Sequence, residues 1–256
     1  MLEVTQAQLW QWIGAALWPF ARIAACLMIA PTIGAQFVPR RIRLVLAAAL
    51  AILVAPRLVM PSAIDPLSGL GIKILLVQIA VGLAIGFLMQ LVFDAVGLAG
   101  QLLGNGMGLS FAFNIDPQRG ASTAAVGQFY IVFVTLTFLA LDGHLALLKT
   151  LLATFDAIPV ATHSLSASFF LDIAASGGTL FEGALRIALP GLAALVIANL
   201  AFGVVSRAAP SLNILSVGLP AALLFGLSVL VWSLPGVQFG FEHLFDAALQ
   251  RIGALR

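Results

Sequence analysis

Charge is scarce in this chain. Ten acidic and twelve basic side chains among 256 residues make 9% charged, against about 25% in soluble domains. That shortage excludes an ordinary water-exposed surface. The surplus of +2 is too small for a nucleic-acid-binding face, and a pI of 9.2 carries little weight when so few groups titrate. The single cysteine, Cys26, excludes an internal disulfide; set in an apolar run without ligand neighbours, it reads as a small buried hydrophobe. No zinc-like cysteine or histidine spacing occurs, so no metal is expected. A Walker phosphate loop is missing too, so neither nucleotide hydrolysis nor a cofactor is expected of the chain alone. A basic n-region is also lacking: Glu3 opens the chain and the apolar run from Ile13 continues past signal length, so no cleavable leader is expected.

What is abundant is hydrophobicity, at 62% of residues, with a mean hydropathy of +1.12. The expected class is integral membrane or membrane-derived, and all-α. Thr5 with Gln8 fits a capping box, placing a helix start near Gln6. Trp10, Trp12 and Trp18 suit a membrane interface. The apolar run from 23 to 38 is interrupted by Pro31 and Gly34, where a bend is expected. Arg40, Arg41 and Arg43 form the densest basic cluster, which favours a cytoplasmic first loop. A helix is expected from Leu44 to Ala55, then a turn-bearing loop over 57–72. The run 74–93 is long enough to span about 30 Å of hydrocarbon, and Gly82 and Gly86 form a GxxxG within it. A further run covers 121–141 and ends at Asp142-Gly143-His144, which reads as a helix terminus rather than a proton relay or catalytic pair. A short helix is expected over 169–176. Two apolar segments, 187–206 and 212–234, read as a helical hairpin, with kinks at Pro190 and Pro220. The stretch 241–255 is amphipathic: Phe241, Leu244, Phe245, Ala248, Leu249 and Ile252 share one face, so it should lie on a membrane or a partner.

The most informative stretch lies between Asp94 and Arg119. Gly100, Gly104 and Gly108 recur one helical turn apart, with Gln101 and Asn105 beside them, before the polar loop at Asp116-Pro117. Such glycines and amides suit close helix packing or a polar passage better than lipid. Gly82 and Gly86 are packing candidates for the same reason. Asp94 is either part of a polar seam with Gln90 and Gln101 or, slightly preferred, the end of one helix at the headgroups. Asp94, Gln101 and Asn105 are the candidate buried polar residues. Met107, Phe111 and Phe113 are either core packing or the seal of a passage. Arg186 and Arg207 read as snorkelling helix-end residues.

Several stretches resemble the FliR family, the export-gate component of the flagellar type III secretion apparatus: VTQAQLWQW at the start, WPFARI at 18–23, VGLAIGF at 81–87, MGLSFAFNIDP at 107–117, LALDGHL at 139–145 and NLAFGVVSRAAPSLNILSVGLP at 199–220. The resemblance covers nearly the whole chain in order. It implies helical hairpins and kinked helices that pack into a multi-subunit export gate. It implies FliP, FliQ and FlhB as partners, unfolded export substrates as cargo, and a bacterial inner-membrane, basal-body location in contact with lipid. It divides the chain into a FliP-like portion over 1–185, a FliQ-like hairpin over 186–236 and an amphipathic helix over 237–256. It also implies a pore plug over about 107–123, with Met107, Gly108, Leu109, Ser110, Phe111, Phe113, Asn114, Asp116 and Pro117 as plug or seal residues. An apolar constriction of this kind holds back ions by dewetting. Three other readings remain: a small secondary transporter using Asp94 with Arg186 or Arg207, a scaffold that never touches cargo, and an intramembrane enzyme, ranked last for want of a catalytic constellation.

Overall fold

A computed structural model describes residues 5–35, 37–58, 64–109, 125–161, 164–208 and 219–255. Among them the structure is helical, and no strand occurs. In chain order the helices are α1 (Gln6–Ile29), α2 (Arg40–Val54), α3 (Gly69–Gly106), α4 (Ala125–Ala140), α5 (Gly143–Ala157), α6 (Ala167–Ser176), α7 (Gly178–Ala208) and α8 (Leu219–Gly253), with a short 3-10 turn, Ala55–Arg57, after α2. Four helical stretches among the described residues are long and apolar enough to cross a membrane: Trp10–Ile29, Gly69–Gly106, Ala167–Val205 and Pro220–Gly253.

Local signals set the ends. At α1 the Thr5 side chain accepts from Gln8 N at 3.4 Å while Gln8 Oε1 accepts from Thr5 N at 2.9 Å, the reciprocal capping box. Ahead of α3, Asp65 Oδ1 accepts from Leu67 N and the Ser68 hydroxyl accepts from Gly71 N. Ser166 caps α6 through Phe169 N. Asp142 adopts φ 53°, breaking α4 from α5 where a helix terminus was expected.

Several expectations change. The run 74–93 is not a separate span: α3 continues through it for 38 residues, so Asp94 sits well inside a helix rather than at its end. No cap or proline lies between Lys73 and Gly106 to stop it. Pro220 is the second described residue of α8, so the kink expected there falls at the edge of the described residues. Helix α8 then runs on through Pro235 to Gly253 without the separate tail helix that amphipathicity suggested. That tail's apolar face is covered by the chain itself: Phe241, Phe245, Ala248 and Ile252 are all buried. Trp18 is buried too, its ring lying where a side chain on Gly14 would be, whereas Trp12 is exposed. Arg43 turns inward and donates to the carbonyls of Ala35 and Val38, leaving Arg40 and Arg41 exposed.

The chain forms two compact units interleaved in sequence. The first comprises Met1–Leu91, Asp142–Gly177 and Phe245–Arg256; the second comprises Val92–Leu141 and Gly178–Leu244. In the first unit Gly82 and Gly86 lie directly on α1. A Cβ at Gly82 would stand 2.2 Å from Arg22 O, and one at Gly86 would stand 2.9 Å from Cys26 O. Two glycines one turn apart thus seat two α1 carbonyls one turn apart.

Above this contact Arg22 is fully buried. Its Nε donates to Gln78 Oε1 at 2.8 Å, Nη1 to Thr154 O at 3.0 Å and to Thr154 Oγ1 at 3.3 Å, and Nη2 to Ile158 O at 2.7 Å. The guanidinium lies 4.1 Å from the Phe155 ring centroid. All four acceptors are neutral, and two of them are carbonyls of the last turn and C-cap of α5, where the helix dipole is negative. Gln78 Nε2 in turn donates to Val160 O at 3.4 Å. Replacing a buried charge by a hydrophobe is sometimes neutral, but here it leaves Gln78 Oε1 and Ile158 O without this donor. We expect Arg22→Met to cost about 3 kcal/mol, with Arg22→Lys in between, because an ammonium cannot span the same fork. Melting of the detergent-solubilised chain checks this; an unshifted Tm for Arg22→Met contradicts it.

Candidate functional site

The C-terminal third of α3 is built around missing side chains. In the second unit, a Cβ on Gly100 would lie 2.7 Å from Gly127 Cα on α4, and one on Gly127 would lie 2.9 Å from Gln101 Cγ and Gly97 O. The two helices therefore meet backbone to backbone. Farther along, the Leu103 side chain stands where a Cβ on Gly191 of α7 would be, at 2.6 Å. Leu195 of α7 lies 3.1 Å from a Cβ built on Gly106. Met107 is buried against α8: a Cβ on Gly226 would meet its Cγ at 2.5 Å and its Cε at 2.7 Å. Phe93 anchors the same unit, edge-on to Phe138 of α4 and to Phe241 of α8 at centroid separations of 5.4 and 5.5 Å. Tyr130 Oη and Ser233 Oγ, 2.8 Å apart, hydrogen-bond α4 to α8.

The helix ends by a specific device. Leu109 N donates to Gly104 O at 3.2 Å and Gly108 N donates to Asn105 O at 3.0 Å, while Gly108 has φ 79°. This is the Schellman arrangement, with the left-handed residue at Gly108. It satisfies two of the carbonyls a helix terminus leaves open. A third, Gly106 O, accepts from Asn199 Nδ2 of α7 at 3.2 Å. The stop is thus pinned by α3's own backbone and by a side chain 93 residues away.

The sequence-derived candidates fall into place as follows. Met107 is buried, and Gly108 and Leu109 are half-buried at the helix stop. Ser110, Phe111, Phe113, Asn114, Asp116 and Pro117 lie outside the described residues, as does most of the hairpin connection. Gly82, Gly86 and Gly100 stand against neighbouring backbone, and Gly104 is buried. Gly108 serves as the left-handed cap of α3. Asp94 and Asn105 are exposed on this chain, and Gln101 is half-buried. Arg186 pairs with Glu182 at 3.0 Å on an exposed turn of α7.

Arg22, Gln78 and Asn199 were missed. Each is a polar residue inside an apolar helical run, and a search for such residues flags them as seeking partners within protein. Among the described residues no cluster of histidine, cysteine and carboxylates is placed to hold a metal ion.

The comparisons agree over nearly the full length. The model of the family described as "Bacterial export proteins, family 1" matches residues 13–248. The "Flagellar biosynthetic protein FliR" of Escherichia coli (strain K12) is 35% identical over 247 residues, covering 96% of this chain and 94% of the relative. The protein of that name from Pectobacterium carotovorum is 36% identical with the same coverage, and that from Bacillus subtilis (strain 168) is 30% identical over 90% of both chains.

A side chain at position 108 must adopt a left-handed backbone, which costs about 1–2 kcal/mol for most residues and less for asparagine. We expect Gly108→Val to lower the Tm of the purified chain clearly and Gly108→Asn to lower it little. Equal melting of the two variants would remove the role assigned to φ at this position.

Proposed function

The chain belongs to the bacterial export proteins, family 1, and on that basis we propose that it is a non-enzymatic subunit of a flagellar type III export gate. In this reading it builds a protein-conducting pore with FliP-type and FliQ-type subunits and associates with an FlhB-type protein. It resides in the bacterial inner membrane at the flagellar basal body. The FliP-like portion is 1–185, the FliQ-like hairpin 186–236 and the final amphipathic stretch 237–256.

One observation carries the assembly reading. Helices α7 and α8 present large apolar side chains that this chain does not cover: Ile197, Leu200 and Val204 on one, Leu224, Trp232 and Phe239 on the other. Only 11% of the most apolar window of α8 is buried, against 56% for α3. Where such a face also carries a glycine whose Cβ would meet no described atom of this chain, as α8 does at Gly236, it suits close approach by a sister subunit.

The plug reading rests on the helix stop. Schellman geometry at Gly104–Leu109 ends α3 sharply and releases the chain at 110 from a packed, glycine-lined base. A loop leaving a rigid base can block a passage without blocking it permanently. In our reading Met107, Phe111 and Phe113 form an apolar seal, and dewetting there holds back ions. Asp116, Pro117 and Gly120 shape the loop. Opening displaces it and involves no bond chemistry, so the driving energy comes from outside this chain.

Two experiments test this. Co-expression with FliP-type and FliQ-type partners should yield one stable hetero-oligomer by native mass spectrometry; a chain that stays monomeric and performs uptake in liposomes would replace the gate with a transporter. In the assembled gate, Phe111→Ala with Phe113→Ala should raise resting ion conductance several-fold. Normal assembly with unchanged conductance would remove the plug assignment while leaving the subunit role intact.

A further inference from the structure

A groove of about 400 Å³ runs between α1 and α2 in the first unit. Ile13, Ala16, Leu17 and Phe20 line it from α1, and Ala48, Ala51 and Ile52 line it from α2. Every lining side chain is apolar. The alanines open the slot and the larger residues wall it. An apolar slot of this kind has no polar partners to hold water, and hydrocarbon suits it.

Charge lies on the same stripes. At 100° per residue, Arg41 stands within about 20° of Ala48 and Ile52 around the α2 axis, and Arg40 stands within about 20° of Ala51. The arginines begin α2; along the axis, Arg41 is about 10 Å and Arg40 about 16 Å from the nearest lining residue of its own stripe. Both are exposed, whereas Arg43 is already engaged with the carbonyls of Ala35 and Val38. Neither α1 nor α2 contains an aspartate or glutamate. A slot for hydrocarbon that shares its helix stripes with two exposed cations, neither in an ion pair among the described residues, beside a helix apolar enough to span a bilayer, is complementary to one kind of molecule.

We propose that this groove binds an anionic phospholipid, with one acyl chain lying between Ile13–Phe20 and Ala48–Ile52 and the phosphate held by Arg40 and Arg41. A partner helix would fill the slot but leave the arginines unmatched. A zwitterionic lipid would fill it and gain little from them. The long arginine stems reach outward along apolar surface to the headgroup level. This site is independent of the plug and of the subunits that cover α7 and α8.

Native mass spectrometry of the full chain tests it, using phosphatidylglycerol and phosphatidylcholine with identical acyl chains. Phosphatidylglycerol should be retained preferentially. Each of Arg40→Gln and Arg41→Gln should weaken that retention about five-fold and leave phosphatidylcholine unchanged. Ala48→Phe, which fills the slot, should abolish the preference. Bilayers give a second readout that needs no cavity-filling variant. Phosphatidylglycerol with brominated acyl chains, diluted into phosphatidylcholine, should quench tryptophan emission beyond random mixing, because the exposed Trp12 lies one turn before Ala16 and within about 40° of it around α1. That excess should vanish in the double arginine variant. Equal retention of both lipids, quenching unaffected by the arginine changes, or crosslinking of a partner helix to Ile13 and Ile52 with no lipid retained would overturn the proposal.

Discussion

A buried guanidinium needs either a carboxylate or an ordered set of dipoles, and Arg22 has the second. Its acceptors are the Gln78 amide, the Thr154 hydroxyl and two carbonyls at the end of α5. The negative end of a helix is where a cation is most easily kept. The same residue supplies the backbone carbonyl against which Gly82 packs, one turn beyond Gln78 on α3. The two contacts require each other. Without glycine at 82, α3 could not approach close enough for Gln78 to reach Nε. Without the fork, two α5 carbonyls and an amide would lose a charged donor in an apolar interior, a loss larger than a typical surface interaction is worth. Helices α1, α3 and α5 are therefore held by geometry as well as by burial. Burial alone is weak in selecting among apolar partners when the surroundings are apolar as well.

The second unit meets the same difficulty differently. Among the described residues its helices are joined by hydrogen bonds such as Tyr130 to Ser233, and Asn199 to Gly106. Its specificity lies in shape. Gly100 against Gly127, Gly191 against Leu103 and Gly226 against Met107 are each a gap on one helix occupied by its neighbour. Such gaps fix the axial position of α3 relative to α4, α7 and α8. The position of the Gly108 turn follows from that, so the packing of the unit sets where the chain from 110 onward begins.

Local features were legible in the sequence, and features joining distant residues were not. Thr5 and Gln8 are three apart, and their capping box is a property of those residues alone. Asp142-Gly143 broke the chain where expected. The fork of Arg22 closes on residues 132 and 136 positions away, and no spacing rule reaches that far. Position 108 is instructive in another way. Its glycine continues the four-residue ladder of 100 and 104, which suggests packing, yet its φ of 79° makes it the helix stop. Periodicity identifies a face but not what covers it. The stripe of Phe241, Phe245, Ala248 and Ile252 was plain in the sequence, and its cover turned out to be the chain itself. Asp94 misled because an acidic residue after a full-length span resembles a boundary, whereas nothing in 94–106 stops a helix.

What covers α7 and α8 is a question that hydrophobicity leaves open, because acyl tails are as apolar as leucine and provide no net drive toward protein or lipid. The difference between the two lies in small residues. A glycine inside a helix costs about 1 kcal/mol relative to alanine, so it is informative where it has nothing to accommodate. A Cβ at Gly203 of α7 or Gly236 of α8 would enter open space in this chain. Both residues are exposed, beside Val204 and Phe239 on surfaces rich in large apolar groups. A lipid tail adapts its shape and gains nothing from a missing methyl. A second backbone does gain, as Gly82 and Gly100 demonstrate on the covered faces of the same molecule. By that comparison the open glycines fit close approach by other helices, as the proposed multi-subunit gate requires.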